Sequence, residues 1–571
     1  MKNTPVFLPT TPDEAHRLGW DTMDVILVTG DAYIDSPLIG VSVIGKVLID
    51  AGYRVGIIAQ PDLNTDQDIK RLGEPRLFWG ITAGCIDSMV ANYTPLKKKR
   101  RSDDYTPGGK NERRPDRATI AYTNLIRRYR RNSRPIILGG IEASLRRIAH
   151  YDFWDNKVRR SILFDSKADM IVYGMGEKTV CELADCLNRG DDATRIRGLC
   201  YISKNKIDGY TALPSFEEAS SSKKAFTEMF STFYSNNDPI KGKGLYQGHG
   251  DRYLVQTPPQ NIPGIKEIDR IYDLDYARDV HPYYKTRGKV KAIETIQFSI
   301  STHRGCLGEC NFCSIAVHEG RIVVSRSTAS ILREAGIIAG HPEFKGYIQD
   351  LGGPTANMYA IQCKKMIKQG PCRDRRCIFP KVCSGLNVDH SSLLNLLKEI
   401  RKIRGVKKVF VASGIRYDLV LADKAFGMAY LEEIVKHHVS GQMKIAPEHT
   451  EEKVLKKMGK PGPGMLTEFR EKFYALTKSF DKRQFLTYYL IAAHPGCTEN
   501  DMRRCRDFTR KRLNTIPEQV QIFTPTPCTY STLMYYTGYD PFNEEPLFVE
   551  KDVLKKQRQK NLITGNAKAV K

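Results

Sequence analysis

No apolar run in this chain approaches the ~20 residues needed to cross a bilayer. Its opening, MKNTPVFLPTTPDE, lacks the basic-then-apolar pattern of a secretory leader. Both absences lead us to expect a cytoplasmic protein with no membrane partner. Acidic residues are in short supply: 65 Asp and Glu face 89 Lys and Arg, a formal net charge of +24. That balance suits polyanionic partners such as RNA or a phosphorylated substrate, and a merely solvated basic surface is the equal alternative. Internal repeats are missing as well. What remains is a 571-residue chain, 41% hydrophobic and 27% charged, the composition of a globular protein with two to four domains.

Cysteine departs from this ordinary composition. Seven of the 14 lie between Cys306 and Cys383. In a reducing compartment, such clustering indicates metal or redox chemistry rather than disulfides. The other seven (Cys85, Cys181, Cys186, Cys200, Cys497, Cys505, Cys528) are scattered, as small buried side chains are.

Along the first 203 residues, apolar runs at 24–29, 54–60, 77–82, 135–140 and 169–173 alternate with helical patterns at 38–52, 117–131 and 177–188. Strands separated by helix-length segments predict an α/β domain with a doubly wound, Rossmann-like parallel sheet. The stretch 97–117 (KKKRRSDDYTPGGKNERRPDR) is too long and polar for a buried connection. It reads either as a loop that grips an anion or as a solvated insertion. Residues 204–290 are less regular and read as a connecting region with one helix at 216–234. From 291 to 548 the alternation returns, with strands at 295–301, 347–351, 408–413, 443–446, 485–492 and 519–524. Helical segments at 327–340, 391–403, 427–438 and 501–513 intervene. This predicts a partial (β/α)6 barrel, whose chemistry would sit on loops at the C-terminal ends of its strands. Residues 549–571 form a basic tail expected to fray.

The strongest local signal is CLGECNFC, which places Cys306, Cys310 and Cys313 within eight residues, just past the first barrel strand. Three thiolates so spaced can wrap one small metal centre, and Gly305 and Gly308 permit a tight loop. A fully protein-ligated 4Fe–4S cluster normally takes four cysteines, so a set of three suggests one iron left open. A structural zinc site and a ferredoxin-like electron carrier are alternatives. The ferredoxin pattern, however, has two residues between successive cysteines and a later Cys-Pro, both missing here.

A CxxxCxxC loop with an aromatic residue before its last cysteine resembles the signature of radical S-adenosylmethionine (SAM) enzymes. The whole chain resembles the YgiQ-type radical SAM proteins nearly end to end. The resemblance is carried by GDAYIDSP (30–37), RSDDYTPGG (101–109), LGGIEASLRRIAHYDFW (138–154), YGMGE (173–177), STHRGC (301–306), DLGGPTANMY (350–359) and APEHTE (446–451). The barrel is similar to that of radical methylthiotransferases. The resemblance implies an enzyme in which Cys306, Cys310 and Cys313 hold three irons of a 4Fe–4S cluster and SAM chelates the fourth. One electron, from a low-potential donor such as ferredoxin or flavodoxin, would then cleave SAM to a 5′-deoxyadenosyl radical that attacks an unidentified substrate. It further implies that Phe312 packs near the adenine and that Gly352 and Gly353 meet the SAM amino group. Pro354 replaces the usual acidic residue there, leaving that contact to backbone atoms. Ser413 and Arg416 would meet the ribose and the SAM carboxylate; Arg suits a carboxylate because its planar donors pair with both oxygens. Glu448 and His449 would face the same mouth. The competing function is an iron–sulfur binding or electron-transfer protein without SAM chemistry.

Two features stay open. Cys363, Cys372, Cys377 and Cys383, separated by eight, four and five residues, read either as a second metal site or as reduced structural thiols, with His390 a substitute ligand. The first domain is similar to the cobalamin-binding domains that precede many radical SAM barrels. Those that ligate cobalt do so through Asp-x-His-x-x-Gly; here Asp35 and Gly40 match, but Pro37 stands in place of the histidine.

Overall fold

The computed structural model describes residues 6–565. Among them, no helix is long and apolar enough to cross a membrane. The chain divides into two compact units, one of residues 6–262 and 270–297, the other of 263–269 and 298–565.

The first unit is built on a nine-stranded sheet. Five parallel strands form one side: β1 (Val25–Thr29), β2 (Val55–Ala59), β3 (Phe78–Thr82), β4 (Ile136–Leu138) and β5 (Met170–Val172). Their spatial order is β2-β1-β3-β4-β5, a doubly wound arrangement whose ligand crevice lies beyond the C-terminal ends of β1 and β3, where the order reverses. β1 and β2 are buried at every residue, as expected of strands covered on both faces by helices. Helices α1 (Gly40–Asp50), α2 (Ala118–Tyr129) and α3 (Glu177–Arg189) lie where the apolar periodicity predicted them. α3 stops at Gly190, which takes the left-handed conformation of a helix C-terminus.

The region 204–290, read from sequence as a connection, extends this sheet. β6 (Leu199–Ser203), β7 (Thr211–Leu213), β8 (Leu245–His249) and β9 (Arg252–Gln256) add the order β7-β8-β9-β6 to the edge at β5. Short strands flanked by polar turns leave only weak alternation in the sequence. The single helix expected at 216–234 is broken into Phe216–Ser221 and Lys223–Asn236, where the Ser222 hydroxyl caps the second.

The second unit carries six parallel segments in chain order. They are β10 (Ser299–Ser301), β11 (Tyr347–Ile348 and Asp350–Gly352), β12 (Lys408–Val409), β13 (Gln442–Glu448), β14 (Phe485–Ala492) and β15 (Val520–Ile522). β10 pairs with β11, β11 with β12, β13 with β14 and β14 with β15, while Ile415 bridges Ile445 to join the halves. This is the expected (β/α)6 barrel. Helices α4 (Thr328–Ala339), α5 (Ser391–Ile400), α6 (Gly427–Glu433), α7 (Pro463–Ser479) and α8 (Glu499–Lys511) surround it. Ile300, Ile348, Leu351, Val409 and Ile445 from the strands pack with Ile331, Leu397, Phe469 and Phe473 from the helices. Beyond β12, Phe410 N still donates to Ile348 O at 2.9 Å, but Val411 N turns to His438 O and Ala412 N and Ser413 N donate to the Asp350 carboxylate, so the apolar run 408–413 does not continue as strand.

The tail differs from expectation. Residues Val553–Thr564 form helix α9, capped by Asp552. Its Lys556, Gln559 and Ile563 are buried; the Gln559 side chain accepts from Ala493 N at 3.0 Å and Lys556 donates to the Tyr535 hydroxyl at 2.9 Å. Three buried side chains at spacings of three and four residues make one docked face, two of its members polar and hydrogen-bonded, hidden under a basic composition.

Candidate functional site

The cysteine loop leaves β10 and turns at Gly305, whose φ of +78° and tight approach to the Ile322 carbonyl exclude a side chain. Cys306 N donates to Gly320 O at 3.2 Å and Cys313 N to Cys310 O at 2.9 Å, closing the loop on itself. Asn311 ties it to the helix after β13: its amide donates to Met458 O at 2.9 Å and its side chain to Lys457 O at 2.8 Å. All three cysteines are half-buried. Burial pushes the Cys306 and Cys313 thiols up, and the neighbouring Cys310 adds to both shifts. Buried thiols that repel each other's charge need a cation to become thiolates.

One positive group stands there. Arg416 Nη1 is 3.5 Å from Cys310 Sγ. The guanidinium pairs with Asp418 through Nε (2.9 Å) and Nη2, and both side chains are buried. Burial opposes the charge of Arg416, but Asp418 outweighs it and raises the arginine pKa. Burial likewise opposes the Asp418 charge, and Arg416 reverses that, holding the carboxyl below its usual range. A relay positions the arginine backbone. Asn357 accepts from Arg416 N at 2.8 Å and donates to Arg416 O at 3.0 Å. His390 Nε2 lies 3.1 Å from the Asn357 amide, and its Nδ1 lies 2.8 Å from Asp423. The tautomer that suits both neighbours has Nδ1 donating to Asp423 and Nε2 accepting from Asn357. This corrects the idea that His390 could ligate a metal with the second cysteine group, since both its nitrogens are already engaged.

The loop after β11 meets the cysteine loop directly. Cys306 Sγ is 3.7 Å from Thr355 Oγ1 and 3.8 Å from Met358 Sδ. A Cβ on Gly353 would stand 2.6 Å from the His303 ring. A Cβ on Gly352 would stand 3.0 Å from Ser413 Oγ, and the Ser413 hydroxyl donates to Asp350. Phe312 packs against Val454, Leu455 and Leu490, edge-on to His494 at 6.3 Å. Glu448, with φ of +68°, ends β13; burial raises its carboxyl, which lies within electrostatic reach of Cys313. His449 turns elsewhere: its Nε2 lies 3.6 Å from Cys497 Sγ. Sequence reasoning singled out neither Asn357 nor Asp418. Asn357 lies inside DLGGPTANMY and Asp418 two residues after Arg416, so the signal was present without a reason to choose them.

Among the described residues, no three His, Cys, Asp or Glu side chains converge closely enough to hold a single metal ion. A cavity of about 380 Å³ lies elsewhere, at the start of β12, lined by Arg401, Lys407, Lys408, Lys436, His437 and Lys482 among others.

In the first unit the crevice beyond β1 and β3 is filled by the chain itself. Arg114 ion-pairs with Asp31 at 2.7 Å and Asp103 at 3.1 Å, and donates to Ala83 O at 2.8 Å, fully buried. Within the 97–117 stretch, Arg114 is thus taken by the segment's own Asp103 and by Asp31, while Lys97–Arg101, Lys110 and Arg113 are exposed, as a solvated segment's would be.

A six-unit barrel with a cysteine triplet at the end of its first strand, preceded in the chain by a doubly wound domain, defines the radical SAM class. A family model described as Radical SAM N-terminal matches residues 7–299. The chain is 55% identical over 563 residues to a UPF0313 protein of Fusobacterium nucleatum, covering 98% of this chain and 99% of that one. It is 49% identical over 561 residues to a UPF0313 protein of Thermotoga petrophila, covering 98% of each. The chain belongs to the UPF0313 family of radical SAM proteins, and the resemblance read from its motifs holds. Among solved structures it is similar to the cobalamin-dependent SAM radical enzyme OxsB with aqua-cobalamin bound (TM-score 0.50, 13% identity, 91% of this chain and 56% of that one). It is also similar to the radical SAM methyltransferase TsrM of Kitasatospora setae with cobalamin and a 4Fe–4S cluster bound (TM-score 0.49, 16% identity, 89% and 74%). The residues of this chain do not fit a lower cobalt ligand. Pro37 offers no nitrogen, and Asp35 is fully buried, bonded to Ser42 (2.6 Å), Ala277 N (2.7 Å) and Tyr33 (3.1 Å), with Lys46 at 3.4 Å.

Proposed function

We propose that this chain is an enzyme that holds a 4Fe–4S cluster through Cys306, Cys310 and Cys313 and reductively cleaves SAM to generate a 5′-deoxyadenosyl radical. The observation that carries this reading is three half-buried thiols on a Gly305 turn at the C-terminal end of β10, with a buried guanidinium 3.5 Å from one of them. The bound cluster would supply the single electron that breaks a sulfonium C–S bond. The protein's own part is placement. Gly352 and Gly353 keep the loop after β11 free of side chains so that backbone atoms can meet the SAM amino group. Ser413 lies beside Gly352, on the side assigned to the ribose. Arg416 is given a second role beyond carboxylate recognition: its charge, held in place by Asp418 and Asn357, offsets the negative sulfurs. Phe312 would flank the adenine from the Leu490 side. A low-potential reductant such as ferredoxin or flavodoxin is required. The net charge of +24 favours RNA or a phosphorylated compound as substrate.

The test is anaerobic reconstitution, reduction and SAM addition. The wild type should release 5′-deoxyadenosine and methionine, and the Cys306→Ala, Cys310→Ala, Cys313→Ala triple variant should release neither. Bound iron without either product in the wild type would leave only an iron–sulfur binding role.

A further inference from the structure

The segment from Gln362 to Asn387 is a closed excursion of the second unit. Asn387 N donates to Gln362 O at 3.2 Å, pinching its base. Inside lie one six-residue helix, Lys364–Gln369, and no strand. The apolar side chains it buries are few: Met366, Cys377, Ile378 and Leu386. So little apolar burial does not offset the entropy of ordering the segment, and small structures in that position are usually held by a cross-link or a metal. The segment carries Cys363, Cys372, Cys377 and Cys383, none of them in a disulfide. The thiols of Cys363, Cys372 and Cys383 all lie within electrostatic reach of Cys377. Cys383 N donates to Cys377 O at 2.8 Å, which places those two on one turn.

We propose that Cys363, Cys372, Cys377 and Cys383 ligate a second iron–sulfur cluster, fully capped by protein and separate from the SAM site. Zinc is the competing occupant: its four donors share one ion at about 2.3 Å, whereas each thiolate of a 4Fe–4S cluster takes its own iron, so the four sulfurs face one centre from farther apart. Charge agrees. Between Gln362 and Asn387 seven Lys and Arg face one acid, Asp374, and cationic surroundings favour thiolates and an anionic cluster. Loading is ligand exchange: each cysteine sulfur displaces a carrier thiolate from one iron of a preassembled cluster, and the cysteine proton goes to that departing thiolate, with no change of oxidation state. The segment is also fixed in place beside the first cysteine loop. Arg376 donates to Glu309 O at 2.9 Å and to Asn311 Oδ1 at 2.7 Å, while its guanidinium lies over Tyr530 and Phe542. Cys377 thus follows the residue that grips the chain on either side of Cys310.

The experiment uses the full chain, reconstituted anaerobically with equal ferrous and ferric iron and sulfide, and reads iron, zinc and sulfide content with Mössbauer and electron paramagnetic resonance spectra. The triple variant lacking Cys306, Cys310 and Cys313 should keep about half the wild-type iron, as one remaining 4Fe–4S centre would. Adding Cys372→Ala and Cys383→Ala to it should remove that remainder. The double variant alone should keep the other half and its SAM-induced spectral change, so failure of this inference is distinguishable from failure of the proposed activity. Iron-free triple variant with native circular dichroism overturns the inference. So does one zinc per chain in place of iron, or iron that survives the added substitutions. If the double variant does not fold, the triple variant's spectrum still decides.

Discussion

Arg416 and Asp418 illustrate what a buried pair does at a reactive loop. Neither is close to solvent, and the arginine touches a cysteine thiol. Asp418→Ala leaves a buried guanidinium without its counter-charge. We expect a loss of about 3–5 kcal/mol, read as a lower denaturation midpoint in urea, together with weaker cluster retention. Asp418→Asn should recover part of the stability by restoring hydrogen bonds. A second carboxylate, Glu433, sets a pH dependence. Burial alone would raise it, but His438 and Arg401 bond to it and pull its pKa down to about 2, against an unfolded value of about 4.3. Its contribution is therefore complete above the unfolded value and is lost as pH falls from there toward about 2. Urea midpoints measured from pH 6 downward should show this slope, and Glu433→Gln should flatten it.

At the level of elements, α9 was the hardest to read. Its sequence, VLKKQRQKNLIT, is basic, yet Ile563 sits 1% exposed among Val454, Leu490 and Cys505. Ile563→Ala should cost about 2–5 kcal/mol, visible as a lower melting temperature. No change would mean the helix is not docked in solution. The run 24–29 was legible because a buried parallel strand writes a continuous apolar signature, and 485–492 because an apolar strand-length run survives even where burial alternates. β7 was not, because a three-residue strand at the edge of the sheet owes its place to a partner distant in sequence. The motif stretches named the right loops, whereas which residue in each loop carries a bond, as Asn357 does for Arg416, depended on the approach of another strand's end.

For the whole molecule, the net charge of +24 and the cavity lined by Lys407, Lys408 and Lys436 lead to one expectation. RNA should be retained at low salt and released steeply as salt rises, because phosphate contacts displace counterions. Lys407→Glu with Lys436→Glu should lower both affinity and the salt slope in a filter-binding titration. Retention indifferent to salt or to these changes would point to a smaller, phosphorylated substrate.

By itself the sequence determined the donor set and its neighbourhood. Three cysteines within eight residues must share one loop whatever the rest does, and the alternation of apolar runs and helical patterns already implied two α/β layers. Only the tertiary structure decided which charges are neutralised and by whom. Arg114 fills the crevice beyond β1 because Asp31 and Asp103 reach it, His390 serves Asn357 rather than a metal, and α9 is held by Gln559 and Lys556. Those outcomes follow from burial and distance between residues far apart in the chain, quantities that local residue order does not encode.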